Sequence, residues 1–418
     1  MQNPLVFIFQ ICRLSFLLGV VFIFITNKSF GQDTLTENLT GKEINSARFY
    51  KYIIAPDYDL YNSSINTRTT GKLLHDAFTR GIGPKIRNKT IRSISEGAWS
   101  FTTIFYTMLM SHEFGHMLRT RQAGGKFSID KVSFPVIYGN MDLPPEHTLE
   151  ENILSVAGGF EVNYLTVKDI QLDLYRHQKL YNDELSLSFA NRLMYPIYLS
   201  LIAPVNPEEP NTWINTMGDP VHWIKPIWMR SGNDVLLPDG TVNSELVGFY
   251  KQSALASVLW NFLDLNFYNE VAALFGENLQ GKEAKYLIGN KRDGWGYGTH
   301  FNTSVLGAEL HLINYIRLKE QLYTVQFRYG FPFNNKGAGI GAYDLLNNQN
   351  KFNLDVMVDV WDQEFYNTGF AFTINSKYKF LKQFEAILQA GYKSEGYLIG
   401  RTMDQGFTGC LGLQYIIN

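Results

Sequence analysis

The sequence has few cysteines, few charged residues and no excess of either charge. Only two of its 418 residues are cysteines, which excludes a disulfide framework and a cysteine-rich zinc module. Charged residues make up 18% of the chain and the net charge is −2, so the basic excess that nucleic-acid binding requires is absent. We therefore expect no nucleic-acid partner. Hydrophobic residues nevertheless account for 45% of the chain, which excludes a disordered protein.

The start of the chain lacks an apolar run long enough for a comfortable transmembrane helix. A basic residue precedes an apolar run from Leu14 to Thr26, which is shorter than the ~20 residues that a span needs. Small residues then precede a cleavage position before Gln32. Residues 1–31 therefore predict a secretory signal peptide, with a retained anchor over Pro4–Thr26 as the alternative. In either case we expect an exported protein of the cell envelope, in the outer membrane or the periplasm.

Aromatic residues are abundant, at 15% of the chain with 24 tyrosines and 30 phenylalanines. Membrane-facing sheets place such residues in girdles at the two interfaces. After the predicted signal, the polar stretch Asp33–Asn66 predicts a loop with short elements. From about residue 71 to residue 281 the apolar periodicity is mainly helical. The long helical runs are Ser95–Arg121, Leu149–Leu172, Leu185–Leu201 and Leu246–Phe275.

Beyond about Gly294 the apolar period changes to two, which predicts β-strands. In residues 352–360, for example, apolar residues alternate with asparagine and aspartate. About seven or eight such runs, separated by tight polar turns, predict an antiparallel meander. The expected fold is therefore multidomain α+β. A mainly helical metallopeptidase-like domain over residues 32–290 precedes an antiparallel β-meander or barrel over residues 291–418.

The meander allows two interpretations of its apolar face. Strands of about ten residues that are apolar outside and polar inside are typical of an outer-membrane barrel. A soluble meander would instead pack its apolar face against the helical half. The first interpretation predicts a membrane partner, contacted through the C-terminal sheet.

The motif H-E-x-x-H occupies residues 112–116, inside the first long helical run. Because His112 and His116 are four residues apart, both imidazoles project from one face of a helix and can bind one Zn²⁺. Glu113 lies beside the first ligand, where its carboxylate can act as general base on water activated by zinc. We therefore expect a Zn²⁺ cofactor, with Glu113 as the catalytic residue.

A three-ligand zinc site requires one more protein ligand, and Glu161 is the preferred candidate. It shares a face of the predicted helix with Leu154 and Leu165, so we expect its carboxylate to point inward. A buried carboxylate needs a partner, which a zinc ion provides. Asp219 is the alternative third ligand. The weaker candidates for catalytic or supporting roles are His147, Glu150, Asn163, Asp169 and His222.

These residues resemble zinc metallopeptidases, and one branch is the site-two protease family. The run His112-Glu113-Phe114-Gly115-His116, followed by Arg121 and Gly124-Gly125, resembles the start of that family's motif. Residues 157–163, Ala-Gly-Gly-Phe-Glu-Val-Asn, stand where the family carries A-G-P-x-x-N on a helix, with one residue more before the asparagine. Gly159 occupies the position of its proline.

The two branches differ in the third ligand. Site-two proteases take an aspartate from a motif that Gly218-Asp219-Pro220 matches poorly. In the gluzincins the third ligand is a glutamate on a later helix, the role that this resemblance implies for Glu161. The motif resemblance covers about residues 100–170, and the meander resembles outer-membrane proteins of Gram-negative bacteria in pattern only.

The expected function is a zinc-dependent metallopeptidase of the bacterial cell envelope that hydrolyses a bond in a peptide or protein substrate. An alternative from another class is a non-enzymatic outer-membrane binding or transport protein with a structural metal site. A third is hydrolysis of another amide, such as one in the cell wall. Glu113, which binds no metal in the predicted ligand set, favours an enzyme over a purely structural site.

Overall fold

The computed structural model describes residues 48–54, 59–133, 136–202, 204–215, 218–274, 281–319, 321–346, 351–381 and 384–417. The predicted signal peptide, and its alternative as a retained anchor, lie outside these ranges. Within them, helices dominate the first part of the chain and antiparallel strands dominate the second. The coarse α+β organisation predicted from the two periodicities is confirmed.

Each predicted helical run is found, two of them divided. The helices are α1 (Leu60–Asp76), α2 (Lys89–Gln122), α3 (Leu149–His177), α4 (Asn182–Arg192), α5 (Met194–Ile197), α6 (Pro210–Ile214), α7 (Asp219–Arg230), α8 (Ser244–Phe262) and α9 (Phe267–Leu274). Three of these, α1, α6 and α7, lie outside the predicted runs. π-Helical segments lie at Ala77–Ile82 and Tyr198–Ile202, and a 3-10 turn lies at Gly83–Lys85. The run predicted over Leu246–Phe275 breaks between α8 and α9, where Asp264 Oδ1 accepts a hydrogen bond of 2.7 Å from the Asn266 amide.

Helices α2 and α3 cross at a contact between glycine backbones. A Cβ added to Gly115 would lie 2.1 Å from the Gly158 carbonyl oxygen, and one added to Gly158 would lie 2.5 Å from the Gly115 carbonyl oxygen. No side chain fits at this crossing. The H-E-x-x-H segment of α2 therefore lies directly against the first half of α3.

The strands form one large sheet and two short pairs. They are β1 (Arg48–Ile54), β2 (Lys126–Ser133), β3 (Val136–Asp142), β4 (Lys179–Leu180), β5 (Lys282–Glu283), β6 (Ile288–Gly289), β7 (Gly294–Ser304), β8 (Gly307–Leu318), β9 (Gln321–Pro332), β10 (Asn335–Tyr343), β11 (Phe352–Gln363), β12 (Asn367–Leu381), β13 (Phe384–Lys393) and β14 (Gly406–Ile417). The order in the large sheet is β1-β14-β13-β12-β11-β10-β9-β8-β7-β6. Strands β2 and β3 form a hairpin, and β4 pairs with β5.

The large sheet contains the predicted meander as β7 to β14. Its order ends at β1 and β6, which are not paired with each other in the described part of the chain, so the sheet is open. The predicted alternative of a closed barrel is therefore not what the structure shows. Strand β1 comes from the polar stretch that was expected to be a loop with short elements, so the sheet extends beyond residues 291–418.

The two faces of the sheet have opposite polarity, and the polar face points toward the helices. His311 Nδ1 on β8 lies 3.1 Å from the Tyr164 hydroxyl of α3, and Arg176 of α3 donates to Asp355 of β11 at 2.5 Å. Phe407 of β14, on the opposite face, is exposed. The interpretation in which a soluble meander packs its apolar face on the helices is therefore wrong.

Helix α7 covers one of the two ends of the large sheet. We call upper the end that carries the β7–β8, β9–β10 and β11–β12 turns and the β13–β14 loop, and lower the opposite end. Helix α7 packs on the upper end, since Trp223 Nε1 donates to the Ser304 carbonyl at 2.8 Å and Arg230 Nη1 donates to the Val305 carbonyl at 3.0 Å.

None of the helices in the described ranges is long and apolar enough to cross a membrane.

Candidate metal centre

The residues of H-E-x-x-H lie in the last third of α2 and face α3. His112 and His116 are 1% and 3% exposed, and their Nε2 atoms are 3.0 Å apart. The two rings meet edge to face at an angle of 85°. The structure thus brings together the imidazole pair that the spacing predicted.

Asp219 is the carboxylate that the structure adds to this pair. Its Oδ2 lies 3.0 Å from His112 Nε2 and 3.3 Å from His116 Nε2. Asp219 is the first residue of α7, and Pro220 follows it at a helix start, where a missing N–H is tolerated. One ligand atom from each of the three residues lies within 4.8 Å of the others, a spread that a single ion can bridge.

Each imidazole is hydrogen bonded through its Nδ1 atom, which leaves its Nε2 atom available to a cation. His112 Nδ1 lies 2.9 Å from Asn163 Oδ1, and His116 Nδ1 lies 2.9 Å from the Ser155 carbonyl oxygen. With the proton on Nδ1, each Nε2 presents its lone pair inward, as a metal ligand must. Ligand atoms of a tetrahedral zinc at about 2.1 Å lie roughly 3.4 Å apart, close to the separations found here. The donor set fits Zn²⁺.

Gly159 of α3 borders the same space. A Cβ added at this position would lie 2.6 Å from His116 Nε2 and 2.7 Å from His112 Nε2. Any side chain would therefore press on the nitrogens that face the centre. The glycine keeps this side of the cluster open.

Glu113 lies beside the cluster and is 7% exposed. Burial raises the pKa of its carboxyl, although the neighbouring His116 and His112 act in the opposite direction. A raised pKa suits a carboxylate that must take a proton from water. Strand β3 passes next to it, because a Cβ added to Gly139 would lie 2.5 Å from Glu113 Oε2.

The three candidate ligands interact strongly. Burial lowers the pKa of His116, but the Asp219 carboxylate outweighs this and raises it to about 9. Burial raises the pKa of Asp219, whereas the charge of His116 and the hydrogen bonds from both histidines hold it well below its usual range. A ligating imidazole must be neutral, so metal binding would release the shared protons.

Glu161 does not join the histidine pair, although it is fully buried on α3 as predicted. Its carboxylate accepts hydrogen bonds of 2.9 and 2.6 Å from Arg119. It also accepts from the Gly400 amide at 2.6 Å and from the Tyr397 hydroxyl at 3.1 Å. The partner that the buried carboxylate needs is thus an arginine. We therefore replace Glu161 by Asp219 as the candidate third ligand.

Of the weaker candidates, Asn163 contacts the centre through His112, and its amide nitrogen donates to Asn191 Oδ1 at 2.6 Å. His222 follows Asp219 by three residues on α7.

The other three weaker candidates have partners of their own. Asp169 accepts a hydrogen bond from Arg68, and Glu150 accepts one from Arg230. His147 Nδ1 lies 2.7 Å from the Pro144 carbonyl oxygen.

Tyr198 is a site residue that the sequence reasoning missed. It lies in the second π-helical segment, and its hydroxyl lies beside the Asp219 carboxylate. Burial, and then the charge of Asp219, raise the pKa of this phenol. Its ring centroid is 5.9 Å from that of His112. It is a single tyrosine in an apolar run, and nothing in its distance from the H-E-x-x-H motif identifies it as a site residue.

Comparison of the chain with protein-family models, with curated proteins and with solved structures gives no match.

Proposed function

We propose that the chain is a zinc-dependent metallopeptidase of the bacterial cell envelope. The cluster of His112, His116 and Asp219 with Glu113 at its side carries the proposal. Structural zinc sites close their shell with four protein ligands, whereas catalytic sites use three and keep one position open. Within the described residues the cluster has three members. This composition supports a catalytic centre.

His112, His116 and Asp219 would hold the Zn²⁺. When bound, the ion would supply Lewis acidity at the substrate carbonyl and lower the pKa of water toward ~7. The Asn163 side chain and the Ser155 carbonyl hold the two imidazoles in the required tautomer, and the Tyr198 hydroxyl lies beside the Asp219 carboxylate.

Glu113 is the proposed general base. Its carboxylate takes a proton from the attacking water and then returns it to the leaving amine as the peptide bond breaks. Its burial beside the ligands keeps it close to the reacting atoms and raises its proton affinity relative to an exposed glutamate. Glu113 is not a member of the ligand cluster, so it is free for proton transfer.

An extended peptide is the substrate that the surroundings of Glu113 support. Strand β3 pairs with β2 along one edge, and no other strand in the described ranges pairs with it. An unpaired edge offers backbone N–H and C=O groups to an incoming extended chain. Gly139, on the same strand, leaves the approach to Glu113 free of a side chain.

An aspartate as third ligand supports the site-two-protease-like interpretation over the gluzincin-like one. Asn163, one residue beyond the position that A-G-P-x-x-N gives its asparagine, contacts His112 and so has a role at the centre. Location in the envelope is supported by the signal-like composition of residues 1–31.

The test begins with metal content. The full chain is purified without chelator and analysed by plasma mass spectrometry, as wild type, Asp219→Ala and Asp239→Ala. Asp239 is an exposed aspartate in a loop and serves as the matched control. We expect about one zinc per chain in the wild type and the control, and little in Asp219→Ala. Absence of zinc from the wild type would refute the metal centre.

Activity is then measured on unfolded casein and on a fluorogenic peptide library, with Glu113→Gln as the second variant. We expect this variant to keep its zinc and to lose about 10²- to 10⁴-fold in rate. Equal turnover by the wild type and Glu113→Gln would remove Glu113 as the base. Bound zinc without hydrolysis of any amide would favour the non-enzymatic binding or transport protein. Hydrolysis confined to cell-wall amides would change the substrate class.

A further inference from the structure

We infer that the outer face of the large sheet lies in the hydrocarbon of a lipid bilayer. The outer face comprises the odd-numbered residues of β9 from Gln321 to Tyr329 and of β14 from Phe407 to Tyr415, with the even-numbered residues of β10 to β13. These residues point away from the helices. This inference does not depend on the proposed peptidase chemistry, because it uses only residues of the sheet.

The polarity of the sheet is the reverse of that in a soluble protein. On the inner face, Gln326 Oε1 accepts a hydrogen bond of 3.0 Å from Lys168 of α3, and Glu309 lies 3.0 Å from His311. On the outer face, Phe407 is 85% exposed and Leu411 is 63% exposed. Soluble monomers rarely expose a large contiguous apolar patch. The helices already satisfy the polar face, so the apolar face is the one that lacks cover.

The outer face carries almost no charge. Its only ionisable side chains with ordinary charges at neutral pH are Lys336 of β10 and Asp362 of β11. These two residues are direct register partners at the upper end of the sheet. Below them the six strands present only apolar, tyrosine, serine, glutamine or glycine residues to the outside. A band without charge is the composition that bilayer hydrocarbon requires.

The height of this band fits a bilayer. On β12 the apolar residues of the outer face extend from Phe370 to Phe380. Ten steps along a strand cover roughly 33 Å, which at a tilt of about 40° gives a height of roughly 25 Å. Transmembrane sheets present an apolar band of about 25 Å.

Aromatic side chains form a belt at each margin of the band. Near the upper end, the Tyr392 ring has its centroid 5.7 Å from that of Phe370 and 5.1 Å from that of Phe407. Near the lower end, the Phe384 ring lies 6.3 Å from Phe380 and 4.9 Å from Tyr415.

Between these belts, the outer positions of β13 and β14 are alanine, leucine and glycine. Two aromatic belts around an aliphatic middle match a layer with two water interfaces. A protein partner with a single apolar surface imposes no such division. A bilayer therefore explains both the composition of the face and the order of its residues from one margin to the other.

The test uses single cysteines on the full chain in a background in which Cys12 and Cys410 are replaced by serine. Leu388→Cys lies in the middle of the band, Thr368→Cys lies at its upper margin, and Asp239→Cys lies in an exposed loop of the helical half. Each variant is labelled with a bimane and inserted into vesicles of phosphatidylethanolamine and phosphatidylglycerol. Three quenchers then report the depth of each label. They are a doxyl group near the end of the acyl chain, a doxyl group at the lipid headgroup, and iodide in the aqueous phase.

We expect the label at Leu388 to be quenched several-fold more by the deep doxyl group than by the headgroup one. The label at Thr368 should show the reverse order, and the label at Asp239 should respond mainly to iodide. Quenching of all three labels by iodide alone would overturn the inference. A detergent-free soluble dimer in which the label at Leu388 is shielded from iodide would also overturn it, by assigning the face to a second copy of the chain.

Charge substitutions give an independent readout that does not require labelling. Leu388→Arg places a charge at mid-band, and Thr368→Arg places the same charge at the margin. We expect loss of vesicle flotation for Leu388→Arg and retention for Thr368→Arg, with both variants showing wild-type circular dichroism in detergent. If Leu388→Arg fails to fold in detergent, the quenching series decides. Full flotation of folded Leu388→Arg would contradict the inference.

Discussion

Arg119 and Glu161 form a buried ion pair with two hydrogen bonds, from Nε to Oε2 at 2.9 Å and from Nη2 to Oε1 at 2.6 Å. Arg119 lies three residues after His116 on α2, and its Nη1 also donates to the Arg401 carbonyl in the β13–β14 loop at 2.9 Å. The pair therefore ties the helix of the candidate metal centre to α3 and to the upper end of the sheet. Its role is to position the helix, whereas binding the metal is assigned to other residues.

Glu161→Ala should destabilise the fold by about 3–5 kcal/mol, because it leaves the Arg119 guanidinium buried without its counter-charge. Zinc content of the folded fraction should remain at the wild-type level. Thermal unfolding in detergent and elemental analysis measure the two quantities on one preparation. The double variant Arg119→Met/Glu161→Leu should recover much of the lost stability. Loss of zinc with unchanged stability would restore Glu161 as the third ligand.

Gly159→Ala should reduce zinc affinity by at least roughly tenfold, an effect typical of a disturbed ligand environment. The new methyl group would lie 2.6 Å from His116 Nε2, inside contact distance, so the imidazoles must move. Gly97→Ala on α2 is the control, since an added Cβ there has no atom within 4 Å. Competition with a zinc chelator measures both variants. Equal affinity in Gly159→Ala and Gly97→Ala would show that the centre does not use this space.

The period of the apolar residues was sufficient to predict most of the fold. The runs that correspond to α2 and α3 were predicted because apolar residues repeat along one helical face over many turns. Strands β7 and β10 show little apolar alternation, because glycines occupy many of their alternate positions. The pairing of β1 with the large sheet was not predicted, because its partner, β14, lies at the other end of the chain.

The candidate site was predictable where its residues are close in sequence and not where they are distant. His112, Glu113 and His116 follow from the helical repeat alone. The inward direction of Glu161 was also correct, but burial of a carboxylate does not identify its partner, and 42 positions separate it from Arg119. Asp219 is 107 positions from His112, so only tertiary structure establishes their contact.

Tyr198→Phe should weaken zinc binding by about tenfold while leaving the fold intact, because it removes only the hydroxyl that lies beside the Asp219 carboxylate. Tyr195→Phe is a matched control in the neighbouring turn, since the Tyr195 hydroxyl is buried and has no hydrogen-bond partner in the described structure. Its removal should leave zinc affinity unchanged. Isothermal titration of the metal-free variants with zinc provides the comparison. Identical affinities would limit Tyr198 to a packing role.

Gly139→Ala should lower the turnover number while leaving zinc content at the wild-type level. A methyl group at this position would lie 2.5 Å from Glu113 Oε2 and 2.4 Å from the Phe127 ring, so the carboxylate or strand β3 must shift. General bases contribute about 10²- to 10⁴-fold, and their effect depends on reaching the proton at hydrogen-bond distance. A displaced Glu113 should therefore lose a large part of this factor.

Asn140→Ala controls for the general effect of a substitution in β3, because Asn140 is the next residue along the strand and is exposed. Its turnover should equal that of the wild type. Peptide hydrolysis under saturating substrate, measured beside zinc content, separates a displaced base from a lost metal. If Gly139→Ala and Asn140→Ala turn over substrate equally fast, β3 does not control the position of Glu113. A parallel loss of zinc in Gly139→Ala would instead place the disturbance at the ligands, because a shift confined to Glu113 leaves His112, His116 and Asp219 in place.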